Sequence, residues 1–147
     1  MTTVSDVLKA IAEDKSLVIF NTIALSNGDS NIFISTPGLT RKQYYSRLSA
    51  LLKAGLVKRE QGKYSLTVFG LIVYHIQEII GKALNQYWKL KAIDSIRVLG
   101  NGELPQEQFH AIFDGLIANQ EIKDILLRHF KEKSYGTLKK THASKLV

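Results

Sequence analysis

Val4, Val7, Leu8 and Ile11 recur three or four positions apart, the spacing of one helix face, and predict a first helix over Ser5 to Glu13. Asp14 is a candidate cap for a second helix carrying Leu17, Val18, Ile19, Phe20, Ile23 and Ala24, which ends near Ser26-Asn27-Gly28. Asp29 or Ser30 offers another cap before Asn31-Ile32-Phe33-Ile34. That piece is too short for periodicity to separate a helical turn from a strand, and Thr36-Pro37-Gly38 ends it.

The next segment is specified at both ends. Thr40 is a good N-cap, Gln43 stands where its amide can reach back to the cap, and Leu39 with Tyr44 forms a hydrophobic staple. Tyr44, Leu48 and Leu51 make an inward stripe, and Gly55 follows Ala54 as a left-handed ending with Leu56 placed to meet Leu51. A helix over Arg41 to Ala54 follows. Leu56-Val57-Lys58-Arg59 and Tyr64-Ser65-Leu66 then read as two short strands joined by the tight, charged loop Glu60-Gln61-Gly62-Lys63.

Thr67 is a candidate cap for a further helix, with Leu66 and Leu71 as its staple, and the helical pattern continues to about Val98. Phe69, Ile72, Ile76, Ile79, Ala83, Leu90 and Ile93 alternate by threes and fours, with an interruption at Gln86. Val73, Ile80, Leu84, Tyr87 and Trp88 widen the face beyond a coiled-coil seam, so it must bury against more than one surface. Gly100-Asn101-Gly102 breaks the pattern. Pro105 suits the first turn of a helix with Phe109, Ile112, Phe113 and Leu116 inward. Asn119 suits the cap of a last helix with Ile122, Ile125, Leu126 and Phe130, and the chain from Ser134 onward reads as a frayed basic tail.

Composition narrows the class. The chain has 147 residues, 45% of them apolar, which suffices for one domain core with an added helical arm. It contains no cysteine, which removes disulfides, thiol chemistry and cysteine-based metal sites. No run of about 18 apolar residues exists to span a membrane, and Met1 to Asp6 lacks a signal-peptide pattern, so a cytoplasmic location is expected. The formal charge of +7 is unevenly placed. Arg41 to Lys63 carries seven cations against Glu60, a local +6, and Lys131 to Val147 carries +4, leaving −3 for the remainder. Such a field attracts a polyanion.

A short element, a turn, a capped helix and a basic hairpin in that order make a helix-turn-helix with a wing, and the major groove admits one such helix. With Tyr44, Leu48 and Leu51 inward, the residues offered to DNA are Arg41, Lys42, Gln43, Tyr45, Ser46, Arg47 and Ser49, with Lys58, Arg59 and Lys63 on the wing. Two cations in a helix's first turn oppose its dipole by a few tenths of a kcal/mol each, which points to an external anion. Gln43 suits adenine or is spent on the cap, and Arg41 and Arg47 suit guanine or phosphate.

Gly38-Leu39-Thr40-Arg41-Lys42, the run Leu48 to Arg59 and the run Tyr64 to Gly70 resemble the MarR/ArsR-like winged-helix regulators, particularly compact archaeal ones. The resemblance covers Val4 to Gly70. It implies a mainly α fold, with a winged helix-turn-helix domain over 1–70 and a small β-hairpin wing; beyond it the apolar pattern and the lysines themselves read as helices for dimerisation over 71–133 and a basic tail over 134–147. By the same resemblance, helix 41–54 faces DNA and 58–63 is the wing. Asn31 to Ser35 departs from the family pattern, being poor as a full supporting helix.

The expected activity is sequence-specific binding of double-stranded DNA by a homodimeric transcription regulator that needs no cofactor or metal and is not an enzyme. Ile72, Ile76, Ile79, Ile80, Ala83, Leu84, Tyr87, Trp88 and Leu90 are the expected dimer contacts, with the two aromatics as anchors. The competing readings are a nucleoid-like architectural protein of low sequence preference and a winged-helix module that binds another protein. His75, His110, His129 and His142 pair at no metal-ligand spacing, and the glycines match no phosphate-loop pattern.

Overall fold

The computed structural model of the chain describes residues 2–26, 38–99 and 105–130. The expected short element at Asn31 to Ile34, the Gly100 to Gly102 break and the tail from Ser134 lie outside them. The architecture is mainly helical with one two-stranded antiparallel hairpin. It divides into two compact units, one ending at Gln77 and the other starting at Glu78.

The first unit begins with α1 (Val4–Ile11) and α2 (Asp14–Leu25). Helix α1 starts earlier than its apolar spacing suggests because Thr3 and Asp6 form a capping box. The Thr3 backbone and hydroxyl both donate to the Asp6 carboxylate, and these bonds hold its pKa below the usual carboxylate value. Asp14 is the first helical residue of α2 rather than its cap. Glu13 holds the cap position and makes no side-chain capping bond.

Helix α3 (Arg41–Lys53) starts where its sequence specifies and ends one residue before the expected Ala54, which is its C-cap. The Thr40 hydroxyl accepts from Gln43 N at 3.2 Å, and Gln43 Oε1 accepts from Thr40 N at 3.1 Å. At the other end Gly55 takes φ +72°, Gly55 N donates to Leu52 O at 3.0 Å and Leu56 N to Leu51 O at 3.1 Å. That pair of bonds is the Schellman ending, and it seats Leu51 and Leu56 together in the core.

Strands β1 (Val57–Glu60) and β2 (Lys63–Leu66) pair antiparallel, with Val57 opposite Leu66 and Glu60 opposite Lys63. Gln61 and Gly62 both take positive φ, 50° and 79°, as a type I′ turn requires. Helices α1 and α2 pack on α3, and α2 also meets β2. Ile19, Phe20, Leu48, Leu51 and Leu56 are fully buried in this core, each contributing about 1.5–3 kcal/mol of burial.

Helix α4 (Val68–Asn85) is capped by Thr67, whose hydroxyl accepts from Gly70 N at 2.8 Å. The same hydroxyl donates to Gly55 O at 2.6 Å, and Thr67 N donates to Leu56 O at 3.0 Å. One threonine thus ties the end of α3 to the start of α4. Gly70 permits that approach, because a Cβ there would fall 1.9 Å from the Leu56 carbonyl oxygen. Leu66 is half-buried but Leu71 stays 48% exposed, so the expected staple does not close. Val73 and Tyr74 join the first core, which places the division between units inside α4 rather than after Gly70.

The helical run from Val68 is not continuous. It stops at Gln86, whose N–H bonds back three residues to Ala83 O at 3.0 Å, and resumes as α5 (Tyr87–Leu99). The tighter bond ends the α-helical ladder where the polar side chain interrupts the apolar series. In the second unit α6 (Gln106–Leu116) follows with Pro105 at its cap, and α7 (120–130) begins where Asn119 Oδ1 accepts from Ile122 N at 3.1 Å. Ile93, Phe113, Ile117 and Ile122 form the buried centre. Phe109, Phe113 and Phe130 pack with ring centroids about 6 Å apart, and the Arg97 guanidinium lies 4.4 Å from the Phe130 ring. Ile112, expected inward, is exposed, and so is Ile125.

Candidate nucleic-acid interface

The core-facing stripe of Tyr44, Leu48 and Leu51 sets the rotation of α3, so its other faces are decided by helical spacing. Arg41, Lys42, Gln43, Tyr45, Ser46 and Ser49 are exposed. Tyr45 is 57% exposed and stands edge-on to Tyr44, ring centroids 5.3 Å apart. Burial, with Tyr64 and Tyr45 nearby, pushes the Tyr44 phenol above its ordinary pKa and keeps it neutral.

Among the expected contacts, Gln43 and Arg47 are tied into the helix's own surroundings. The Gln43 amide is held in the capping box. The Arg47 side chain is 17% exposed, its guanidinium pairs with Glu13, and its Nη1 donates to Gln43 O at 3.3 Å. Glu13 is the residue that sequence reasoning missed. It lies 34 positions away, and nothing in local spacing links the two.

On the hairpin, Lys58, Arg59 and Lys63 are exposed. Lys58 pairs with Glu60 at 2.9 Å, an open surface contact worth about 0–1 kcal/mol. Arg59 lies across the sheet from Tyr64, with its guanidinium 5.6 Å from that ring's centre. Tyr64 itself packs against the first core, so it supports the hairpin from beneath. Lys53, the remaining cation of the segment, lines an open groove of about 450 Å³ with Thr2, Asp6, Lys9 and Ala10 of the α1 region.

The expected dimer contacts divide into two groups. Ile72, Ile76, Ile80, Leu84, Tyr87 and Trp88 are exposed, Trp88 by 77%. Ile79 is half-buried, while Ala83 and Leu90 pack against the second core, whose side chains claim that edge of the helices. Tyr87 and Trp88 meet edge-on at 5.4 Å, with Lys91 Nζ 5.7 and 5.6 Å from their ring centres.

Comparison with known proteins returns no match: no family model, no curated protein and no solved structure is significantly similar to this chain. Among the described residues no group of three or more histidine or acidic side chains is arranged to hold a metal ion. Among them, too, no helix is long and apolar enough to cross a membrane. His75, His110 and His129 are exposed and lie edge-on to the aromatic residue beside each.

Proposed function

We propose that this chain is a winged-helix protein that binds double-stranded DNA as a homodimer and regulates transcription without chemistry of its own. The observation that carries the reading is the +6 segment from Arg41 to Lys63 folded as a locally locked helix and a short hairpin with exposed cations on both. In this reading α3 enters the major groove, where Arg41, Lys42, Tyr45, Ser46 and Ser49 meet base edges and phosphates. Lys58, Arg59 and Lys63 clamp the adjoining backbone. A helix whose ends are fixed by a capping box and a Schellman ending presents these groups without a large ordering cost. The likeness of Leu48 to Arg59 and of Tyr64 to Gly70 to the MarR/ArsR-like regulators supports the same assignment.

Dimerisation rests on α4. Its stretch from Val68 to Gly81 exposes Val68, Phe69, Leu71, Ile72, Ile76 and Ile80 and contains a single charged residue, Glu78. A second copy can cover such a face without opposing like charges, despite the net +7 of each chain. Two-fold pairing then matches two DNA half-sites.

One observation favours a second reading, an architectural protein with little sequence preference. Gln43 and Arg47, two side-chain types suited to bidentate base contacts, are both engaged internally. Binding the pure chain to a pool of random duplexes across a salt series, with sequencing of the retained fraction, separates the readings. A palindromic motif that persists at high salt is the expected result. Retention without a motif, fading steeply with salt, supports the architectural reading. No retention at low salt overturns both and leaves a protein-binding module.

A further inference from the structure

Arg47 has the sequence position of a DNA contact but not its surroundings. Its side chain, 17% exposed, is turned onto the protein, where Nη2 meets the Glu13 carboxylate and Nη1 bonds the Gln43 carbonyl one turn earlier on α3. Glu13 is the cap residue of α2, yet its carboxylate makes no capping bond, so it is committed across to α3 instead. Arg47 Nε is buried with no hydrogen-bond partner. Swinging this guanidinium out to a phosphate would give up both bonds and set the Glu13 carboxylate, 58% exposed, unpaired beside a polyanion.

We infer that Arg47 and Glu13 form a brace that fixes the first turns of α3 to the corner between α1 and α2, so that Arg47 is a positioning residue and not a DNA contact. The inference rests on α3 being the recognition helix. The pair is neutral, so it adds nothing to the field that attracts DNA. Its effect is geometric: it joins the first turns of α3, where Arg41 and Lys42 stand, to an element 34 residues away in sequence.

The two roles predict opposite signs for one substitution. Glu13→Gln removes an acid near the interface. If Arg47 touched phosphate, that change would free it and tighten binding. For a brace, Glu13→Gln in the full chain weakens binding to the selected sequence by about tenfold. Its lost negative charge raises affinity for unrelated duplexes slightly, so the ratio of specific to non-specific affinity falls. Arg47→Gln also lowers that ratio and leaves the salt slope near its original value, whereas loss of a phosphate contact would lower the slope by about 0.9. The exchanged pair Glu13→Arg with Arg47→Glu recovers specific binding relative to either single change. A merely structural residue would lower the folded fraction without altering the ratio of specific to non-specific affinity. Tighter binding by Glu13→Gln, or a reduced slope in Arg47→Gln, overturns the brace.

Failure of the DNA reading shows separately, as no duplex binding by the unaltered chain. The brace is then decided by urea unfolding of the Glu13→Gln, Arg47→Gln and double variants. Coupled midpoint shifts support it, and additive shifts overturn it.

Discussion

Helices α3 and α4 follow one another with only the hairpin between them, and both anchor a buried stripe in the same core through Leu48 and Leu51 or through Val73. They differ in what they leave uncovered. Helix α3 exposes Arg41, Lys42, Tyr45, Ser46 and Ser49, while α4 exposes Phe69, Leu71, Ile72, Ile76 and Ile80. Water satisfies the first face and not the second, so α3 is stable uncovered and suited to a charged, hydrated ligand. Helix α4 gains by burial against an apolar one. The difference is what the proposed function draws on, and the Thr67–Gly70 contact with Gly55 and Leu56 holds those elements in a defined relation.

That contact is the place to break the comparison. Gly70→Ala forces a methyl group onto the Leu56 carbonyl and should destabilise the first unit by about 3 kcal/mol, lowering its melting temperature by about 10–20 °C. A melting temperature unchanged by this substitution would mean the two helices are not tightly joined.

Replacing Ile72 and Ile76 by aspartate tests the apolar side. It should loosen the dimer by at least about 30-fold in sedimentation equilibrium, with circular dichroism unchanged because both residues are half exposed or more. Helix loss in this variant would mean that the face is covered within the monomer.

The polar side is tested by Lys42→Ala with Lys63→Ala. The slope of log affinity against log salt should fall by about 1.8, with the melting temperature shifted only slightly, since both side chains are exposed. An unchanged slope would remove α3 and the hairpin from the interface.

The smallest effect concerns the boundary between face and core. Because the folded state raises the Tyr44 pKa, the unfolded chain loses its phenol proton first. Stability is therefore full below the ordinary value of 10.0 and declines as pH rises through the higher folded value. Tyr44→Phe should flatten that alkaline decline in urea unfolding curves, and an undiminished decline would show that Tyr44 ionises equally in both states.

Much of this arrangement is legible in the chain, for a local reason. The cap at Thr40, the turn at Gly55 and the tight loop at Gln61-Gly62 are decided by residues three to five positions apart, and periodicity adds the buried stripe of α3. The exposed cations of the candidate site follow from that stripe by helical spacing. Less was legible where apolar positions are abundant. The sequence spreads large apolar residues widely over α4 and α5, and periodicity alone does not say that Ala83 and Leu90 face a core while Ile76 and Leu84 face outward.

Sequence by itself determined the order of the elements as far as the start of α4, the capped start of α3 and its glycine ending, the basic character of the segment from Arg41 to Lys63 and the absence of cysteine chemistry. Those properties depend on composition and on neighbours within a turn or two. Tertiary structure alone decided that Arg47 belongs to Glu13, that Thr67 bonds Gly55, that Gly70 must lack a side chain beside Leu56, and which apolar residues of α4 stay uncovered. Each of those depends on which distant segment the chain brings alongside. A helix period or a capping rule contains no information about a neighbour 34 or even 12 residues away until the core has closed.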